Sequence, residues 1–180
     1  MTTNPTDLNF DAPLTNFSHC HVGILNHLDS FGELPALLAP AARARMIAED
    51  TVAFFRAAVY EHHSEEEREL FPAVLESAVK GAERDKVKNL VERLTQEHRD
   101  IELLWSHLEP QLKKLAKGQV ANLDPSSIEQ LVSKYKAHAR FEEEEFLPLS
   151  ESILSRNSNH MAALGLSLHM RHTPHVVGHI

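Results

Sequence analysis

The chain has 180 residues, a formal net charge of -8 and a single cysteine, Cys20. That length fits one domain able to bury a core without disulfide staples, and one cysteine excludes an internal disulfide framework or a CxxC redox motif. The acidic balance argues against a nucleic-acid-binding face and against adhesion to acidic membranes. The start, Met1 to Pro13, is polar and lacks the apolar stretch of a signal peptide, and no apolar run approaches a bilayer span. The expectation is a soluble, cytoplasmic domain, unusual in carrying 13 histidines.

Apolar residues recur at helical spacing almost throughout, and strand signals are scarce. Asn16 or Ser18 caps a first helix whose buried stripe includes Phe17, His21, Ile24, Leu25 and Leu28, and Gly32, Pro35 and Pro40 break the chain after it. A second helix runs from about Ala41 to Ala78, with Val52, Phe55, Val59, His62, Glu66 and Leu70 near one face, and Gly81 ends it. A third runs from about Glu83 to Lys117 and turns Val91, Leu94, His98, Ile101, Glu102 and Trp105 inward. Gly118 to Asp124 is a loop, and Asp124-Pro125 reads as an N-cap followed by a first-turn proline. The fourth helix reaches about Arg156 and carries Leu131, Tyr135, His138, Glu142 and Phe146. Long helices on short connections predict an all-α, up-down-up-down four-helix bundle over residues 1–156. Residues 157–180 form a separate C-terminal extension, with a short helix that could pack on the bundle.

The most informative pattern is a repeat. His62-His63-Ser64-Glu65-Glu66-Glu67-Arg68-Glu69-Leu70-Phe71-Pro72 is echoed 76 positions later by His138-Ala139-Arg140-Phe141-Glu142-Glu143-Glu144-Glu145-Phe146-Leu147-Pro148. Residues four apart lie one above the other on a helix, so each copy presents an imidazole and a carboxylate to one point. A shorter echo, 77 positions apart, links Cys20-His21-Val22-Gly23-Ile24 with Glu97-His98-Arg99-Asp100-Ile101. The inward positions then gather His21, His62, Glu66, His98, Glu102, His138 and Glu142, a mixed nitrogen and oxygen set that suits iron, manganese or zinc. Buried carboxylates without partners would be strongly disfavoured, and a pair of cations removes that penalty. His63 lies about 100° around the helix from His62 and reads as outer or exposed. Ala139, at its counterpart in the second copy, selects His62 with Glu66. Glu65, Glu67, Glu143 and Glu144 read as a solvated face, His19 and His107 as solvent-facing, and Trp105 and Tyr135 as core. Glu69 and Glu145 either orient ligand histidines or face water near a bundle end. Pro72 and Pro148 predict a bend or an end in each helix.

These elements resemble the hemerythrin-like, or HHE cation-binding, family. Its signature stands here as His21, His62-xxx-Glu66 with Leu70-Phe71-Pro72, His98 with Glu102, and His138-xxx-Glu142 with Leu147-Pro148. The resemblance covers roughly residues 15–156. It implies two non-haem irons in an oxo-bridged centre, with Glu66 and Glu142 as bridges and His21, His62, His98 and His138 as terminal ligands; zinc or manganese are the other candidates. Oxygen-carrying members place a second histidine four residues after the first on the third helix, where this chain has Glu102. A carboxylate ligand there would favour the ferric state and move the expectation from oxygen carriage towards oxygen activation, peroxide handling or sensing. Glu102 is alternatively the partner of a ligand histidine. The leading expectation is a di-iron protein that binds or senses oxygen, nitric oxide or peroxide, as monomer or homodimer. The alternatives are a di-iron peroxidase or oxidase, and a metal-stapled iron-sensing or interaction module.

Overall fold

The computed structural model describes residues 13–156, with side chains from residue 21 onward. The expectations placed on the side chains of Asn16, Phe17, Ser18, His19 and Cys20 lie outside the described residues. So do those on 157–180, with His160, His169, His172, His175 and His179. Every regular element among the described residues is helical. None of these helices is long and apolar enough to cross a membrane.

Helix α1 spans Pro13–Phe54. A π-helical turn, Phe55–Val59, leads into α2, Tyr60–Glu65. A second π turn, Glu66–Leu70, leads into α3, Phe71–Ser77. Helix α4 spans Ala82–Ala116. Helix α5, Pro125–Phe141, passes through a third π turn, Glu142–Phe146, into α6, Leu147–Leu154. The break expected between Gly32 and Pro40 is absent, because α1 runs through Pro35 and Pro40. The surrounding Leu34, Ala36, Leu37, Leu38, Ala39, Ala41 and Ala42 are among the best helix formers and favour continuing the helix past the two prolines. Three continuous helical runs therefore stand among the described residues, the first of them long.

The chain divides into two units, Met1–Met46 and Ile47–Ile180. In the first, Val22, Ile24, Leu25, Leu28 and Phe31 of α1 are exposed. In the second, partner residues give the helix directions. Phe55 stacks on Trp105, His63 faces Glu102 and His98 faces Glu67, so the first run and α4 are antiparallel. Asp100 pairs with Lys134, Glu97 with His138 and Glu83 with Arg156, so α4 and the α5–α6 run are antiparallel too. His63 meets His138 and Phe71 meets Phe146, both edge-on, so the first and third runs are parallel at about the spacing of the sequence repeat.

The ends of α4 and α5 are written locally. Gly81, at φ +102°, precedes α4 in a conformation that a side chain resists. Gly118, at φ +69°, closes α4 while its N–H and that of Gln119 donate to Leu115 and Lys114. Asp124 accepts from the backbone N–H groups of Ser126 and Ser127, the expected cap, with Pro125 in the first turn.

Two apolar clusters fill the second unit. Phe71, Val74, Ala78, Val87, Leu94, Phe146, Ile153 and Leu154 form one, and Ile101, Trp105, Leu108 and Leu131 the other. Between them lies a polar layer. His98 falls between Leu94 and Ile101 on α4, His138 between Leu131 and Phe146 on the third run, and His63 with Glu66 between Val59 and Phe71 on the first.

Candidate metal centre

The polar layer is built by three helices and two kinds of donor. His63, His98 and His138 bring one ring nitrogen each within 4.8 Å of one another, and all three residues are buried. His62, Glu66 and Glu142 form an adjoining group with the same spacing. The His63 and His98 rings stack at 3.9 Å, and His138 stands edge-on to both. Stacking keeps the rings in register without consuming their inner nitrogens.

Each of the three imidazoles has a carboxylate behind it. His63 Nδ1 lies 3.3 Å from Glu102, His98 Nδ1 2.9 Å from Glu67, and His138 Nδ1 3.1 Å from Glu97. Their opposite nitrogens, the three Nε2 atoms, are buried and make no hydrogen bond. A carboxylate on the outer nitrogen and a free inner nitrogen is the arrangement that orients a histidine for a metal and raises its basicity.

Glu66 joins the two groups. Its Oε1 lies 3.3 Å from His62 Nε2 and its Oε2 3.2 Å from His98 Nε2. Two donors on adjacent corners of one ion, each about 2.1 Å from it, stand about 3.0–3.4 Å apart, depending on coordination number. The spacing at both oxygens therefore fits a shared ion on either side, as a bridging carboxylate requires.

Electrostatics separate the donors. Burial, then the neighbouring His98 and His138, lower His63 to about 3 and keep it neutral. Burial also lowers His138, against the pull of Glu97. Burial opposes charge on His98, but Glu66 and Glu67 on its two sides outweigh it and raise its pKa. Burial and the Glu66 carboxylate raise Glu142. Burial works against Glu66 as well, yet contacts with His98 and Glu142 hold it below the usual carboxylate range. The Glu66–Glu142 pair thus shares one proton in the metal-free chain.

Of the residues singled out by spacing, Glu66, His98, His138 and Glu142 occupy buried positions in this layer. The His62 side chain, 42% exposed, sits at its open edge. Glu102 is placed on the outer nitrogen of His63. His21 belongs to the first unit and is exposed. The expectation for His63 is corrected: it is 1% exposed rather than outer. Glu65 is likewise buried and Glu67 half-buried, whereas Glu143 and Glu144 do face solvent. Glu69 is half-buried, Glu145 is exposed, and His27 and His107 are exposed. Trp105 is fully buried against Phe55, and Tyr135 is half-buried beside His63 and His138.

The π turns explain the correction at His63. In Phe55–Val59 the Tyr60 N–H donates to Phe55, five residues back, so that turn holds one extra residue. The extra residue turns the next side chains further round the face, and His63 rather than His62 is the buried one of the pair. The third run has no π turn before His138, so Ala139 was a misleading counterpart. The next π turns fall on Glu66 and Glu142, and Pro72 and Pro148 follow them in the first turns of α3 and α6. There a missing N–H is tolerated, so both helices continue rather than end.

The family model for the Hemerythrin HHE cation binding domain matches residues 12–150. The chain belongs to the hemerythrin HHE family. A protein of Haemophilus influenzae (strain ATCC 51907 / DSM 11121 / KW20 / Rd), described only as uncharacterized, is 24% identical over 161 residues, covering 86% of this chain and 90% of its own. No solved structure matches. The cation-binding description agrees with the donor chemistry of the HHE layer, where buried imidazole nitrogens and carboxylates converge.

Proposed function

We propose that this HHE domain holds two adjacent non-haem iron ions and presents them to a small ligand such as dioxygen, nitric oxide or peroxide. His63, His98 and His138 hold one ion; His62, Glu142 and His21 hold the other; Glu66 spans the two. Glu102 serves His63 from behind instead of binding metal. The observation that carries the reading is the pair of short approaches at Glu66, one oxygen towards an imidazole of each group. When bound, an iron pair supplies two neighbouring redox-active Lewis acids. The chain's own part is to keep the His63 imidazole neutral and to exclude bulk water between two apolar clusters.

The same proposal includes the up-down-up-down arrangement, His21 as a ligand and a cytoplasmic location. A mixed imidazole and carboxylate set also accepts zinc and manganese, so the metal is decided by assay.

Metal content per chain, measured on protein purified without added metal, together with the absorption spectrum under air, tests the reading. Two irons and near-ultraviolet bands are expected; no iron, or one zinc, would overturn the iron assignment. Glu66→Ala should lower metal content to half or less while far-ultraviolet circular dichroism is kept. Full loading in that variant would sink the bridging role.

A further inference from the structure

We propose that Arg99 is a positioning residue that sets the imidazoles of His63 and His98 by tying together the two carboxylates behind them. Its guanidinium reaches Glu102 Oε2 through Nη1 at 3.1 Å and Glu67 Oε2 through Nη2. The other oxygen of each carboxylate is the one that meets an imidazole: Glu102 Oε1 at His63 Nδ1 and Glu67 Oε1 at His98 Nδ1. With the two rings stacked at 3.9 Å, these five side chains close a loop. The loop also crosses between helices, since Arg99, His98 and Glu102 belong to α4 while His63 and Glu67 belong to the first run.

The chemistry requires an arginine. Glu67 and Glu102 are about one-fifth to one-quarter exposed, so water competes for both, and two like charges converging on one place repel. A planar fork with donors in two directions satisfies both at fixed angles, and a lysine, as a point charge, does not. His138 is set differently. Its carboxylate, Glu97, is held by Arg93, whose guanidinium lies over the Phe141 ring. Arg99 therefore acts on two of the three imidazoles and on one of the two donor groups. This inference rests on the dinuclear reading for its consequence, but the positioning itself is a property of the metal-free chain.

The test begins without metal. In the full chain with ¹⁵N-labelled histidine, His63, identified by the signal lost in His63→Gln, should be a single Nδ1–H tautomer. Arg99 is half exposed, so Arg99→Met leaves the core intact. That variant should show His63 as a tautomer mixture, and Arg99→Lys should resemble it more than the wild type. An unchanged tautomer in Arg99→Met overturns the proposal, and a wild-type spectrum in Arg99→Lys overturns the role of the fork. Titration with cobalt(II) then reads the consequence. One of two binding steps should weaken about 10-fold in Arg99→Met and the other should not move. Equal weakening of both steps would overturn the selective role. A wild-type chain that takes up no cobalt would remove the dinuclear reading, with the tautomer result still deciding the positioning.

Discussion

His63 couples burial to protonation. Held at about 3 by burial and by two neighbouring imidazoles, it stays neutral in the folded chain well below the ordinary histidine value of about 6.5. Between those two values the unfolded chain binds the proton and the folded chain does not. Folding stability of the metal-free protein therefore falls as pH drops from about 6.5 towards about 3. His98, raised by its two carboxylates, works in the opposite direction. His63→Gln removes the depressed group while keeping a side chain of similar reach. The urea midpoint of that variant should decline less than that of the wild type between about pH 6.5 and about pH 4. Matching pH profiles for the two proteins would contradict a buried neutral imidazole at this position.

Among the elements, the π turns do the most to shape the centre. Each adds a residue to a turn, widens the helix locally and moves the following side chains to a new face. Two of the three begin at the carboxylates that converge, Glu66 and Glu142. Their prolines are placed where a missing donor matters little, which gives a contrast within this one molecule. Pro72 lies in the first turn of α3, so Pro72→Ala should lower stability slightly, by about 0.4–1 kcal/mol, by loosening the unfolded chain. Pro110 lies inside α4 and is exposed, so Pro110→Ala should restore a helical hydrogen bond and add about 1 kcal/mol or more. Equilibrium unfolding of the two variants should move in opposite directions. Shifts of the same sign would mean that the two prolines are not in different settings.

For the whole molecule, the second unit has a core interrupted by a layer of buried ionisable groups that includes His63, Glu66, His98, His138 and Glu142. Apolar packing above and below cannot stabilise that layer, whereas cations can. Metal binding to the folded form alone adds to folding stability, and every ligand must be deprotonated to take part. Chelation should therefore lower the thermal midpoint and re-addition of iron(II) should restore it, with a larger shift at pH 7.5 than at pH 6. A midpoint indifferent to chelator would count against a resident metal.

Much of this was legible before any coordinates. Helical spacing alone placed His98 between Leu94 and Ile101, His138 above Glu142, and Asp124 at a helix start, because a regular helix maps sequence onto faces without reference to its neighbours. The all-helical class and the doubled motif followed from the same periodicity. Other features were decided only when helices packed together. A π turn has no periodic signature, so the exchange of His62 for His63 could not be read from spacing. Nor could the pairing of Glu67, Glu97 and Glu102 with the three imidazoles, since each joins residues more than 30 positions apart. Local chemistry determines which face a side chain takes; tertiary packing determines what it meets there, because burial makes an unpaired charge costly only once a neighbouring helix has removed the water.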